Sequence, residues 1–293
     1  SLLFLAQALG NEDLQKKVKW ITVTNSVHKT KDEKANGFTK AVNLGPVKII
    51  PKEFPEISSV CIDLENNFNN EKAANQILSE FNGNFNEQVI AYRNEQRLIS
   101  SFEKFNINAS AKKQPLLKSG GVYVFTGGLG GISLTLAKDI AAKYNPRLIL
   151  LSRQQLPARE EWGNILTSHE KAHPQRNVIH KLIELQNLGA DVTDASQMEK
   201  IFSEVKTKYG KINGIIHAAG TIDDGVILFK KKEDAANVLG PKVKGTLILN
   251  ELVQKHSSDF LILFSSASSI LSPTGQVDYA SANSFLDAFA QAN

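Results

Sequence analysis

The order of apolar and polar positions divides the chain into two α/β stretches. In the first, "VKWITVTNSV", "SSVCIDLE" and "QVIAYRNEQRLI" carry the β-branched and aromatic character of strands, and "EKAANQILSEF" has the spacing of a helix. The opening "SLLFLAQALG" reads as a helix, because it lacks the basic lead-in and cleavage signature of a signal peptide. The second stretch follows "FEKFNINASAKKQPLLKSGG", which is polar, basic and non-periodic, as a linker is. From there the apolar runs "VYVF", "RLILL", "NGIIHA" and "FLILF" alternate with helical segments such as "SLTLAKDIAAKY" and "ASQMEKIFSEVKTKYG". Such alternation predicts βαβ units and a parallel sheet covered on both faces.

Two places complicate this pattern. "IELQNLGADVTD" passes from a helix almost directly into the acid that should follow a third strand. The strand itself is missing from the pattern, through deletion or through absent residues, and absence is the reading adopted. Near the C-terminus, "GQVDYASANSFLDAFAQAN" places Ala280, Ser281 and Ala282 before the apolar spacing of Phe285, Leu286 and Phe289, which predicts a buried helix. Tyr279 and Asn283 then stand on one helical face. A buried tyrosine bonded to a backbone group would give the same pattern.

Composition narrows the function. At 293 residues there is room for roughly two domains, and 42% hydrophobic with 22% charged residues fits a soluble globular protein. The net charge of +4 is small and its lysines are dispersed, which argues against a nucleic-acid partner. The single cysteine, Cys61, excludes an internal disulfide and a cysteine-based metal site, and reads as a small buried hydrophobe. Six scattered histidines lack metal-ligand spacing, so no metal is expected. No apolar run approaches the ~20 residues of a membrane span. A cytoplasmic protein with no membrane partner is expected.

"GVYVFTGGLGGIS" follows a strand and opens a helix, the context in which a glycine motif means most. Gly127, Gly128, Gly130 and Gly131 let the backbone turn tightly and approach a pyrophosphate resting on the helix N-terminus. The expected cofactor contacts of this turn run through Thr126, Leu129 and Ile132 as well. At the end of the next strand, Ser152 and Arg153 stand where an acid would hold a ribose 2′-hydroxyl, and an arginine there suits a 2′-phosphate. That points to NADPH. Asp191, beside Val192, could accept a hydrogen bond from an adenine amino group, whereas Asp194 fits a helix cap better. "HAAG" ends the fourth strand with Ala218, Ala219 and Gly220, small enough for a ribose to lie close, while His217 reads as structural. The first stretch has no such turn, and a supporting or docking role is expected for it.

These residues resemble a known family. "TGGLGG", "SR", "DVTD", "HAAG", "GPKVKGT", "FSSASS" and "DYASAN" occur in the order seen in ketoreductase domains of bacterial modular polyketide synthases, within the short-chain dehydrogenase/reductase superfamily. The resemblance implies a Rossmann-like doubly wound parallel sheet as catalytic subdomain, residues 114–293. A truncated Rossmann-like structural subdomain, residues 1–113, precedes it. The lid and last strands of the family would lie beyond Asn293, and Ser133 stands in place of the third glycine. Composition rich in Lys and Asn suggests an assembly line of low-GC origin.

The resemblance also accounts for the tyrosine. Members of the superfamily carry Tyr-x-x-x-Lys, and in polyketide ketoreductases the lysine and asparagine exchange places. "GPKVKGT" offers Lys242 and Lys244, and "FSSASS" offers Ser265, Ser266, Ser268 and Ser269. The family's spacing to Tyr279 selects Ser266 and Lys242. The implied chemistry is hydride transfer from NADPH to the ketone of a 3-ketoacyl chain. That chain is held by phosphopantetheine on an acyl carrier protein, beside neighbouring synthase domains. Tyr279 would protonate the carbonyl oxygen, Ser266 would hydrogen-bond it, and Lys242 would stabilise the phenolate while gripping the nicotinamide ribose. Asn283 would orient Lys242 or a relay water. Ile222, Asp223 and Asp224 resemble the Leu-Asp-Asp signature of B-type domains, and Leu271 stands where the opposite class has tryptophan, so a D-3-hydroxyl product is implied. A silent structural domain and a free-standing reductase of small ketones are the alternatives. The first would lack Lys, Ser or Tyr, and the N-terminal subdomain argues against the second.

Overall fold

Val18–Asn25 (β1) lies parallel to Ile57–Leu64 (β2) residue for residue, and Val89–Arg93 (β3) lies parallel to β2 on its other side. Gln96–Ile99 (β4) completes the sheet antiparallel to β3, in the order β1-β2-β3-β4. "QVIAYRNEQRLI" therefore holds two strands. Asn94 and Glu95 between them have φ of 48° and 66°, the two-residue turn whose twist matches a hairpin. The computed structural model describes residues 2–12, 14, 16–30, 35–104, 116–153 and 186–293. Much of the expected linker, at 105–115, lies outside the described residues.

Alternate residues of β2 serve the two faces of this sheet. Ile57 packs with Ala6 of helix Leu2–Gly10 (α1) and with Ile49 and Ile50 of Leu44–Glu53 (α2). Val60, Ile62 and Leu64 pack with Ala73 of Asn70–Asn82 (α3). The side chain of Asn69 caps α3 by accepting from the N–H groups of Glu71 and Lys72 at 3.0 and 3.1 Å. Cys61 is buried, and that burial pushes its thiol up to about 12, which leaves it unreactive.

The second sheet comprises Val122–Thr126 (β5), Arg147–Ser152 (β6), Gln186–Gly189 (β7), Gly214–His217 (β8) and Phe260–Leu263 (β9). All pairs are parallel and the order is β7-β6-β5-β8-β9, the third-second-first-fourth-fifth order of a dinucleotide-binding half. The expectation of a missing third strand is corrected by β7, whose backbone pairs with β6 from Ile149↔Gln186 to Ser152↔Gly189. Gln-Asn-Leu-Gly has no β-branched residue, so its strand character comes from the edge of β6 and not from propensity.

Val122, Val124, Ile149 and Leu151 turn to one face, against Met198 and Phe202 of Ala195–Tyr209 (α5) and Leu249 of Lys232–His256 (α6). Tyr123, Phe125, Leu148 and Leu150 turn to the other, against Leu134 and Ala137 of Gly131–Tyr144 (α4). Strands buried on both faces explain the near-continuous apolar runs.

By contacts the chain forms two compact units, and they do not follow a single cut near 113. Ser1–Asn108, Thr221–Val243 and Ser265–Asn293 form one, and Ala109–Gly220 with Lys244–Phe264 form the other. In the first unit, Ser268–Leu271 (α7) leads to Val277–Ala292 (α8), which is buried along most of its length. Phe38 meets Phe285 and Phe289 edge-on, with ring centroids 6.0 and 5.3 Å apart. A Cβ on Gly45 of α2 would come within 2.7 Å of the Ser281 amide nitrogen, so the small run Ala280–Ala282 lets two helices approach closely. Among the described residues no helix is long and apolar enough to cross a membrane.

Candidate active site

The glycine turn is built as the strand-to-helix geometry demands. Gly127 has φ +65°, and a Cβ there would lie 2.7 Å from the Ala218 carbonyl oxygen. A Cβ on Gly128 would strike Leu150, whereas Gly131 faces open space at the start of α4. The Gly128 N–H donates to the Leu151 carbonyl at 2.8 Å, and the Gly130 N–H to that of Gly127 at 2.9 Å. The Thr126 hydroxyl is buried against His217 Nδ1 at 2.6 Å, which gives His217 a structural partner. Leu129 packs on the core and Ile132 is exposed. Ser133 is buried, and its hydroxyl has no hydrogen-bond partner among the described residues.

Arg153 is exposed at the end of β6, beside half-buried Ser152. One oxygen of Asp191, Oδ1, accepts from the N–H and the hydroxyl of Thr193, both at 2.8 Å, and no hydrogen bond to Oδ2 occurs among the described residues. Asp194 caps α5 by accepting from the Gln197 N–H at 2.9 Å. Val192 is core, packed beneath Gly245. Ala218 and Ala219 are half-buried and Gly220 is exposed.

The four catalytic candidates, Lys242, Ser266, Tyr279 and Asn283, lie within the first unit. Lys242 Nζ stands 5.8 Å from the centre of the Tyr279 ring. Burial lowers the pKa of Lys242 from 10.5 to about 8, with Asp287 pulling it back upward. Lys244, two residues on, is exposed. Asn283 is fully buried, and its Nδ2 donates to the Tyr279 carbonyl at 2.8 Å and to Ser268 Oγ at 3.3 Å. Its Oδ1 has no partner among the described residues. Ser266 Oγ accepts from the Ser268 N–H at 3.2 Å. Of the neighbouring serines, Ser268 and Ser269 are buried: Ser268 Oγ is the acceptor for Asn283, and Ser269 Oγ donates to the Ser266 carbonyl at 2.9 Å.

The loop carrying Ile222, Asp223 and Asp224 is exposed but held from below. Lys230 is buried, pairs with Asp278 Oδ2 at 3.0 Å, and donates to the Asp223 carbonyl. Burial raises the pKa of Asp278, an effect that Lys230 opposes. Sequence reasoning missed Lys230 and Asp278. The position of Asp278 beside Tyr279 was a possible signal for one, but "FKKKED" gives none for the other.

Residues 121–293 match the family model described as KR domain. The chain is 35% identical over 212 residues to polyketide synthase PksN of Bacillus subtilis (strain 168), covering 70% of this chain and 4% of that protein. It is 31% identical over 261 residues to polyketide synthase PksL of the same strain, covering 86% of this chain and 6% of that protein. The chain thus spans a small fraction of the length of these curated relatives. Among solved structures it is similar to a ketoreductase domain from the bacillaene assembly line, with TM-score 0.76 and 26% identity over 99% of this chain and 64% of that one. An N-terminal ketoreductase from the macrolactin assembly line gives TM-score 0.73 and 25% identity over 99% and 55% of the two chains. The Rossmann-like α/β fold is shared with both. Since the family model takes in more than half of its residues, the chain belongs to the KR domain family, the ketoreductase domains of polyketide synthases.

Proposed function

We propose that this chain reduces the 3-keto group of an acyl chain held as a thioester on an acyl carrier protein, with NADPH as reductant and a D-3-hydroxyl as product. The observation that supports it most is the buried Lys242 ammonium over the ring of Tyr279, with Asn283 one turn further along α8. A helix that only packed would gain nothing from burying a cation there. The turn fits the cofactor on its own terms: a side chain at Gly127 or Gly128 would strike the Ala218–Ala219 backbone or Leu150 and force the tight turn apart, and Gly131 leaves space before the helix N-terminus. When bound, NADPH supplies the hydride.

The chain's own residues then do the following. Arg153 meets the 2′-phosphate with a planar fork of donors. Asp191 offers Oδ2 to the adenine amino group. Tyr279 gives its proton to the carbonyl oxygen, and Ser266, whose Oγ already accepts a backbone N–H, directs its own proton to the same oxygen. Lys242 stabilises the phenolate that remains. Asn283 Oδ1 is an acceptor suited to the Lys242 ammonium or to a relay water. Residues 114–293 act as the catalytic subdomain and 1–113 as structural support, in a cytoplasmic bacterial synthase of the B-type. The test is an NADPH-oxidation assay with a 3-ketoacyl thioester mimic. Turnover that vanishes in Tyr279→Phe is expected, and a wild-type chain that binds NADPH yet reduces no such thioester refutes the proposal.

A further inference from the structure

Lys230 lies where a charge needs a reason. Its side chain is almost wholly removed from solvent, and a buried ammonium is costly unless its donors are met. An ammonium has three donors. Three acceptor oxygens surround this one: Asp278 Oδ2 at 3.0 Å, the Asp223 carbonyl, and Asp223 Oδ2 at 3.4 Å. Asp278 belongs to the first turn of α8, where a carboxylate is favoured by the helix dipole, and its Oδ1 accepts the N–H of Tyr279 at 2.8 Å. A Cβ on Gly225 would lie 3.7 Å from Lys230 Nζ, so the loop backbone passes directly over the amine.

The same loop has a second anchor. Pro241 lacks the N–H that would bond the Asn237 carbonyl within α6. The Thr221 hydroxyl donates to that carbonyl at 3.0 Å. Thr221 and Asp223 thus fix both sides of Ile222. They leave the Asp224 carboxylate exposed, with no ion pair or hydrogen bond among the described residues.

We infer that Lys230 is a positioning residue for stereochemical choice: by tying Asp223 to Asp278 it holds Ile222 and Asp224 in a fixed place relative to Tyr279. Asp223 then acts as an anchor, and Asp224 is the acid presented to the substrate. The inference rests on the ketoreductase reading. A lysine that only paired charges would need no backbone partner beside the carboxylates of Asp223 and Asp278. Here one partner is the backbone of the loop itself, so losing the lysine frees that loop.

Lys230→Met alone leaves Asp278 as an unpaired buried charge and can fail to fold, so the test pairs it with Lys230→Met/Asp278→Asn, which removes both charges. Hydrogen exchange is read first. In the double variant the Gly225 amide, bonded to the Gly275 carbonyl, should exchange about tenfold faster, the loss of one hydrogen bond to a charged group, while β2 amides keep their rates. Product analysis with a 3-ketoacyl thioester comes second. The product should shift from one enantiomer toward a mixture, with NADPH affinity within about twofold of wild type. Unchanged loop exchange overturns the tether, and faster exchange with an unchanged product ratio overturns its role in stereochemistry. A wild-type chain that reduces no ketone sinks the ketoreductase reading instead, and the exchange data still decide the tether.

Discussion

Replacing Lys242 with methionine should make the protein more stable while destroying its activity. Burial brings the pKa of this lysine from 10.5 to about 8 in the fold, so holding it charged is unfavourable. At about 1.4 kcal/mol for each unit of that gap, the cost near neutral pH is about 3 kcal/mol, an order-of-magnitude figure. Methionine fills nearly the same volume with no charge to desolvate. Below pH 8 both folded and unfolded chains carry the proton, and the full cost is present. Between pH 8 and 10.5 the unfolded chain still binds a proton that the folded one has released, so this contribution to stability rises with pH. Above 10.5 both are neutral and the cost is gone. Urea denaturation of wild type and Lys242→Met, each without cofactor, should therefore differ by about 3 kcal/mol at pH 7, roughly 5–10 °C in melting temperature. The difference should shrink toward zero at pH 10.5. A variant no more stable than wild type at pH 7, or a gap that does not change with pH, would refute the reasoning. Such a trade of stability for function is common where a site keeps a charge in a dry place.

Arg153→Ala should raise the KM for NADPH far more than that for NADH, and equal effects on both would remove the 2′-phosphate assignment. Tyr279→Phe should fold and bind NADPH while reduction falls by on the order of 10² or more, whereas Lys244→Ala should turn over nearly as wild type does. Gly45→Ala should destabilise the fold by about 1–3 kcal/mol in thermal melts, because its Cβ would press on the start of α8; an unchanged melting point would contradict the close helix approach. Chiral chromatography of the product from an unbranched 3-ketoacyl thioester should show the D-3-hydroxyl, with Asp224→Ala eroding that preference more than Asp223→Ala does, and a predominantly L product would overturn the assignment.

What the sequence could disclose depended on whether the signal was local. The turn after β5, the Asp194 cap and the apolar face of α8 each depend on residues a few positions apart, and each stands out in the chain. β7 had no such signal, since a four-residue strand without β-branched residues exists only because β6 offers it an edge. The hairpin between β3 and β4 was hidden for a similar reason: Asn94-Glu95 lacks the glycine that usually announces such a turn. Lys230 and Asp278 are 48 positions apart in sequence, a separation over which charge pattern carries no information. The run of small residues after Tyr279 announces a buried helix, but part of its explanation, the passage of Gly45, lies more than 200 positions away.

The first half of the chain has a physical task that follows from the loops around the candidate residues. Loops leave backbone groups without regular partners, and when buried these must be satisfied by something. Glu53 of α2 accepts the Ile227 N–H at 2.5 Å with one oxygen and the Gly275 N–H at 2.8 Å with the other. The Gly225 N–H donates to the Gly275 carbonyl at 2.8 Å, so one carboxylate fastens the segment before Lys230 to the segment before α8. Gln7 of α1 donates to the carbonyls of Ile227 and Lys230 at 2.8 and 2.7 Å. The carbonyls at the end of α7 have no helical acceptor role left to fill, and two cations of α2 meet them: Lys48 donates to Ser269 at 2.7 Å, and Lys52 to Leu271 and Ser272 at 2.8 Å each. These bonds explain why Thr221–Val243 and Ser265–Asn293 gather with residues 1–108 in one compact unit. They also show how a half with no glycine turn of its own holds the segments that carry Lys242 and Tyr279. It supplies the fixed donors and acceptors that irregular segments cannot supply to themselves, and a loop held at its backbone is one whose side chains can be aimed.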